Sequence, residues 1–138
     1  MSFLDIDTSD AKDPGVVEGG KEYKLRITSF LTNAEDEVIR TNKNGDDYFM
    51  PLYEIETDEY VSPVSQYMPV PDKNKQDAKK YAENLSSLNK WKLCFDAPEG
   101  GFELEDMVGH EGFCILGVKD DAEYGEQNVV KKMMTPAF

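Results

Sequence analysis

Residues 71–95, PDKNKQDAKKYAENLSSLNKWKLCF, contain the only convincing helix pattern in the sequence. Asp72 follows a proline and is predicted to cap the first turn. Helical spacing then gives one apolar stripe, formed by Ala78, Tyr81, Ala82, Leu85 and Leu88. Polar and apolar side chains alternate over residues 90–95, so the helix is predicted to end near Asn89, before a short extended piece. The expected helix is amphipathic and must lie on another part of the fold.

The chain ahead of this helix is predicted to form three strands. Residues 20–27 alternate apolar and polar side chains, and after a bend the strand continues to residue 40. The Asn-Gly pair within residues 42–45 is the strongest hairpin signal, and residues 48–56 form the returning strand. Three prolines keep a third strand, residues 61–70, short or irregular.

The two faces of the returning strand are both largely apolar. Phe49, Tyr53 and Ile55 lie on one face, and Tyr48, Met50 and Leu52 lie on the other. If the first face is core, the second either meets solvent and a ligand or is covered by the helix or by the N-terminal residues. Pro51 favours an edge or a bulge, because it has no N–H to donate to a ladder.

Two further strands are predicted after the helix. Residues 112–119 form an almost continuous apolar run, which is typical of a central strand. Residues 128–135 form the last strand, with Lys132 and Lys131 expected on opposite faces. The fold class is therefore mainly β: a five-stranded, OB-fold-like Greek-key barrel with one helix between strands 3 and 4. The domain covers residues 19–138, and residues 1–18 form an acidic, loosely ordered arm with a possible small anchor at Phe3, Leu4 and Ile6.

Charge and cysteine usage limit the classes of function. The net charge of −13, from 28 acidic and 15 basic residues, counts against a polyanionic partner, although lysines concentrate in residues 73–92. Cys94 and Cys114 are isolated and His110 is the only histidine, so buried free thiols and no metal or cofactor are expected. No apolar run is long enough to span a membrane, and the acidic N-terminus does not resemble a signal peptide. A soluble, intracellular protein is expected.

Four segments of the sequence resemble the small single-stranded-DNA-binding proteins of bacteriophages. They are EGGKEYKLRI (18–27), NKNGDDYFMPLYEIE (42–56), LEDMVGHEGFCILGVKDD (104–121) and YGEQNVVKKMMTP (124–136). Their motifs are G-x-x-Y-x-x-x-I, T-x-x-x-G-x-x-Y, a V-G pair and a closing Y-x-x-x-N-x-V, and their order carries the resemblance. The resemblance covers roughly residues 19 to 136.

The resemblance implies binding of single-stranded DNA, without catalysis, during phage replication or recombination in the cytoplasm of the infected host cell. It also implies replication or recombination proteins as partners, and no membrane. Many such proteins end in a long acidic tail, whereas this sequence ends in TPAF. Whether the N-terminal arm or Phe138 contacts partners stays open, as does the oligomeric state.

Single-strand binding requires exposed aromatic faces for the bases and cations for the backbone. The candidate stacking residues are Tyr48, Tyr67, Trp91 and Tyr124, with Tyr53 added in case the other face of its strand is the core. The candidate phosphate contacts are Arg26, Arg40, Lys43, Lys119, Lys131 and Lys132. Trp91 lies between two lysines and is either a stacking surface or a core side chain.

Two other classes of function compete with DNA binding. An enzyme is not expected, because the acidic pairs fall in predicted loops and no nucleophile elbow, phosphate loop or HExxH motif is present. The stronger alternative is an acidic protein-binding adaptor or a DNA mimic, which the net charge favours.

Overall fold

The computed structural model describes residues 2–136, and Phe138, which was suggested as a contact with partners, lies outside this range. The elements are β1 (Lys21–Leu31), β2 (Arg40–Thr41), β3 (Asp47–Ile55), β4 (Val64–Ser65), β5 (Met68–Pro69), α1 (Ala78–Cys94), a short 3-10 helix (Leu104–Met107), β6 (Glu111–Asp121) and β7 (Gly125–Met133). The prediction of a mainly β protein with one long helix is confirmed.

All seven strands belong to one antiparallel sheet. Its order is β2-β3-β1-β6-β7, and β4 and β5 both pair with β3. Strands β4 and β7 approach each other, with Cα atoms within 8 Å, but within residues 2–136 they form no ladder. The sheet is therefore not closed into a barrel.

The predicted hairpin is present and is held by its first asparagine. The Asn42 side-chain oxygen accepts hydrogen bonds from the backbone N–H groups of Asn44 and Asp46, at 2.9 and 3.0 Å. Gly45 has a φ of 84°, a conformation that glycine adopts without strain. These contacts turn the chain from β2 into β3.

Pro51 explains why the third predicted strand is split into two pieces. Strands β4 and β5 keep one register on β3, and Gln66 between them donates its N–H to the Pro51 carbonyl at 3.2 Å. The returning bond is missing because proline has no N–H. Pro51 thus interrupts a ladder inside the sheet, and β3 is not an edge strand. The alternative that the sequence suggested, a bulge, is present next to Pro51, because the register of β1 on β3 shifts between Ile27 and Ser29.

The helix begins later and ends later than predicted. Asp77, not Asp72, is the N-cap, and its carboxylate accepts the N–H of Lys80 at 2.8 Å. Asp72 instead closes the preceding turn, accepting the N–H of Asn74 at 2.9 Å. No extended piece follows Asn89, because the helix continues to Cys94.

The buried face of α1 is also rotated from the predicted stripe. Asn84, Trp91 and Cys94 are buried, whereas Ala82 and Leu85 are exposed. The large side chains at the C-terminal end determine which face packs on the sheet, because they bury the most apolar area. Predicting the helix end too early therefore also misplaced its face.

The core forms around Trp91. Its ring packs against Phe49 and Phe95, with centroid distances of 5.2 and 5.6 Å. Its Nε1–H donates to the Tyr53 hydroxyl at 2.9 Å, and that hydroxyl donates to Gln66 at 2.6 Å. Burial raises the pKa of Tyr53 well above its ordinary value, so the phenol stays neutral. The face of β3 that carries Phe49 and Tyr53 is therefore the core face.

A bulge in the last hairpin changes the faces of β7. The register on β6 shifts between Ile115 and Leu116, so that Lys132 lies opposite Ile115. Val130 and Met133 both pack against the core, which strict alternation would forbid. The side chain of Lys131 covers Gly117, which lies two residues from Ile115 on the same face of β6. Both lysines thus lie on the outer side, not on opposite faces.

The two cysteines are buried and unbridged, as expected. Their sulfur atoms lie 3.9 Å apart, joining the end of α1 to β6. Hydrogen bonding with Cys94 raises the pKa of the Cys114 thiol, so that thiol stays protonated. The pair packs as small apolar side chains.

Candidate nucleic-acid interface

A pair of stacked tyrosines lies on the outer face of the sheet, where β4 and β5 pair with β3. The rings of Tyr48 and Tyr67 have centroids 4.6 Å apart and planes inclined by 25°. Tyr67 lies between β4 and β5, diagonal to Tyr48 across the strand pair, a spacing at which long side chains meet. Tyr67 is 48% exposed, so one aromatic surface of the pair faces solvent.

Arg40 approaches the same pair from β2. It lies opposite Tyr48, and its guanidinium carbon is 5.3 Å from the centroid of the Tyr48 ring. Its Nη1 contacts the sulfur of Met50 at 3.6 Å. Its Nε is buried and has no hydrogen-bond partner within residues 2–136. The cation is therefore held against a ring and a thioether, and none of the ion pairs among residues 2–136 includes it.

Asn42 connects the hairpin turn to the tyrosine pair. Its side-chain amide donates to the Tyr67 hydroxyl at 3.2 Å, while its oxygen holds the turn. Lys43 is exposed on that turn, next to Asn42. We call Arg40, Asn42, Tyr48, Met50 and Tyr67 the tyrosine platform.

The start of α1 and the residues just before it contact the hairpin turn next to the platform. Lys80 forms an ion pair with the largely buried carboxylate of Asp46, with the two atoms 2.7 Å apart. Hydrogen bonds from Lys80 and then Gln76 lower the pKa of Asp46. Lys75 reaches the carbonyl of Gly45 at 3.5 Å. The charge of Lys80 is thus used within the fold, and the turn is fixed to the helix.

Two of the candidate stacking residues are removed by the structure. Trp91 is fully buried, because it occupies the inner face of the helix that was predicted to have ended before it. Tyr53 is also fully buried, because the face of β3 that it shares with Phe49 is the core. Neither ring is available to a base. The alternative that Trp91 is a core side chain is the correct one.

The remaining candidates lie in three places. Tyr124 is 69% exposed on the β6–β7 turn and lines a cavity of about 360 Å³ together with Ser65, the residue of β4 opposite Leu52. Arg26 is paired with Glu54 at 2.8 Å, so its charge is largely compensated. The exposed lysines of β6 and β7 form a separate group, consisting of Lys119, Lys131 and Lys132.

The structure therefore brings together Arg40, Tyr48 and Tyr67, with Lys43 on the adjoining turn, and it leaves the other candidates apart from them. The role of Asn42 was missed, because the sequence identified it only as a turn residue. Its signal was present, since an asparagine that starts a hairpin turn keeps its amide N–H free after its oxygen is used.

The sequence matches no family model and no curated protein. Within residues 2–136, no helix is long and apolar enough to cross a membrane. The same residues contain no cluster of three or more His, Cys, Asp or Glu side chains arranged to hold a metal ion.

Proposed function

We propose that this protein binds single-stranded DNA with little sequence preference, by base stacking on the tyrosine platform. The observation that carries the proposal is the solvent-facing Tyr48–Tyr67 pair with a cation beside it. Aromatic surfaces of this kind accept any base, because every base has a π-face. The proposal includes no catalytic step.

The geometry of the pair indicates where a base would stack. The rings are already in contact at 4.6 Å, so no base fits between them without separating them. The free surface is that of Tyr67, while Tyr48 lies beneath it, beside Arg40. A stacked base is worth about 1–3 kcal/mol, and the pair supports the ring on which it rests.

The strand order is the support for placing this surface in an OB-fold. β1 pairs with both β3 and β6, the helix separates the third predicted strand from β6, and β4 approaches β7. In an OB-fold, oligonucleotides lie on the face of strands 2 and 3, which corresponds here to β3 with β4 and β5. If this correspondence holds, the platform would lie on the binding face. A role in phage replication or recombination, with proteins of those processes as partners, belongs to the same proposal.

Binding to DNA is expected to depend only weakly on salt, because the protein has a net charge of −13 and few cations near the platform. Arg40 lies against the Tyr48 ring, and Lys43 and Lys75 lie at the adjoining hairpin turn, so few phosphates are neutralised. For two to four phosphate contacts, log K should fall against log salt with a slope of roughly −1.4 to −2.8 on single strands. Fluorescence anisotropy of a labelled oligothymidylate over a salt series measures the slope.

A slope several times steeper would contradict a stacking-dominated site. Binding that is absent even at low salt would favour the second candidate function, an acidic protein-binding adaptor or DNA mimic. The net charge is the observation that favours that second candidate, because it repels a polyanion at long range.

A further inference from the structure

The residues ahead of Gly15 combine exposed apolar side chains with acids. Phe3, Leu4 and Ile6 are 86%, 78% and 69% exposed. The acids of the same segment are Asp5, Asp7, Asp10 and Asp13, with Lys12 as its basic residue. We call residues 2–13 the acidic arm. The arm thus combines an aromatic ring and aliphatic groups with carboxylates. Single-stranded DNA has the same combination, because its bases stack and its phosphates are negatively charged.

The acidic arm joins the fold beside β4, one of the strands that pair with β3. Gly15 donates its N–H to the carbonyl of Tyr60 at 3.0 Å and accepts the N–H of Ser62 at 3.1 Å. Asp13 and Pro14 line the same cavity as Ser65 and Tyr124. The first fixed point of the arm is thus at the end of the surface that carries the tyrosine platform.

The platform is within reach of the arm. Ser65 lies opposite Leu52, which is four residues along β3 from Tyr48, a distance of about 13 Å. Residues 3–13, fully extended, span up to about 36 Å. The arm can therefore lie across the platform and still leave several residues slack.

We infer that the acidic arm folds back onto the tyrosine platform and competes with nucleic acid for it. The inference rests on the proposed function and adds its regulation. Phe3 stacks on the exposed ring of Tyr67, where a base would, and the carboxylates of Asp5 and Asp7 face Arg40 and Lys43. In the structure Phe3, Leu4 and Ile6 are exposed, so the inference requires a second state in which the arm is docked.

Because the arm is covalently attached to the domain, even a weak contact between the arm and the platform would be populated. A short flexible linker gives an effective concentration in the millimolar range. An arm whose own affinity for the platform is about millimolar would then occupy it for a substantial part of the time. Disabling the arm should tighten oligonucleotide binding about two- to tenfold.

Full-length variants separate docking of the arm from simple charge repulsion. One variant replaces Phe3, Leu4 and Ile6 by serine and leaves the charge unchanged. A second carries Asp5→Asn, Asp7→Asn and Asp10→Asn. The charge-matched control carries the changes Glu99→Gln, Glu103→Gln and Glu105→Gln in the exposed segment before β6.

We expect both arm variants to bind the oligonucleotide two- to tenfold more tightly, and the acid variant to exceed its control. An apolar variant with the affinity of the unmodified protein overturns the inference, because only long-range repulsion would then remain. Weaker binding by either arm variant also overturns it, since the arm would then assist the DNA.

A measurement without DNA distinguishes failure of this inference from failure of the proposed function. Thermolysin cuts before large apolar residues such as Phe3, Leu4 and Ile6. If the arm docks on the platform, the unmodified protein should be cut in the arm at least twofold more slowly at low salt than the variant Arg40→Gln/Lys43→Gln, in which docking is weakened. The two proteins must have equal thermal stability. Slower cutting with no DNA binding supports the arm contact and rejects the DNA proposal; equal cutting rates overturn the arm contact.

Discussion

Replacing Trp91 by alanine should lower the free energy of unfolding by about 3–5 kcal/mol. The side chain is fully buried, packs against three phenylalanine rings and donates to the Tyr53 hydroxyl. Domains of this size have a free energy of unfolding of about 5–15 kcal/mol, so the variant is expected to lose a large fraction of its stability. Urea unfolding, followed by far-UV circular dichroism, measures the loss.

Leu93→Ala provides the matched control for this substitution. Leu93 is on the same helix, two residues away, and is 41% exposed, so its truncation should cost about 1 kcal/mol, well below the loss for Trp91. A Trp91→Ala protein of normal stability that had lost oligonucleotide binding would instead mean that Trp91 is a stacking residue.

Replacing Tyr67 by alanine should weaken oligonucleotide binding by about 1–3 kcal/mol, which is about 5- to 150-fold in Kd. The change removes the exposed ring of the platform, whose other contacts are Tyr48 and Asn42. The fold should be unaffected, because the ring lies outside the core. Anisotropy titration at constant salt measures the loss.

Two controls make this result specific. Tyr67→Phe keeps the ring and removes only the hydroxyl that accepts from Asn42, so it should retain most of the affinity. Tyr60→Ala removes a tyrosine that is at least as exposed but lies outside the platform, so it should bind as the unmodified protein does. Equal losses for Tyr60→Ala and Tyr67→Ala would count against a defined site.

Most strand positions were predictable because each depends on its own neighbours in sequence. The first strand is an exception, because β1 ends at Leu31 and does not continue to residue 40 as predicted. The alternation from Tyr23 to Ile27 and the turn at Gly45 are local signals, and both are present in the structure. The face of β3 that carries Tyr48 was identified in the same way, because side chains alternate strictly along a strand.

The helix boundaries and the faces of β7 were not predictable by the same reasoning. Alternation around Trp91 suggested a strand, but Leu88, Trp91 and Phe95 also have helical spacing, and burial against the sheet favours the helix. The bulge that turns Lys132 outward is a property of strand pairing, which the sequence of β7 alone does not show.

The site was predictable in its parts and not in its assembly. Tyr48, Tyr67 and Arg40 are all residues that the sequence indicated. Their contact depends on the register of β2 and β5 on β3, which brings together residues up to 27 positions apart. Burial of Tyr53 and Trp91, by contrast, depends on packing of the helix, whose extent was misjudged.

The central claim is that bases stack on the exposed tyrosine surface, and a comparison of single and double strands tests it most directly. An oligothymidylate and a duplex of the same length are titrated separately at one salt concentration. The duplex hides its base faces, so it should bind at least tenfold more weakly than the single strand. Equal affinity for the two would contradict stacking, because phosphate charge alone would then explain the binding.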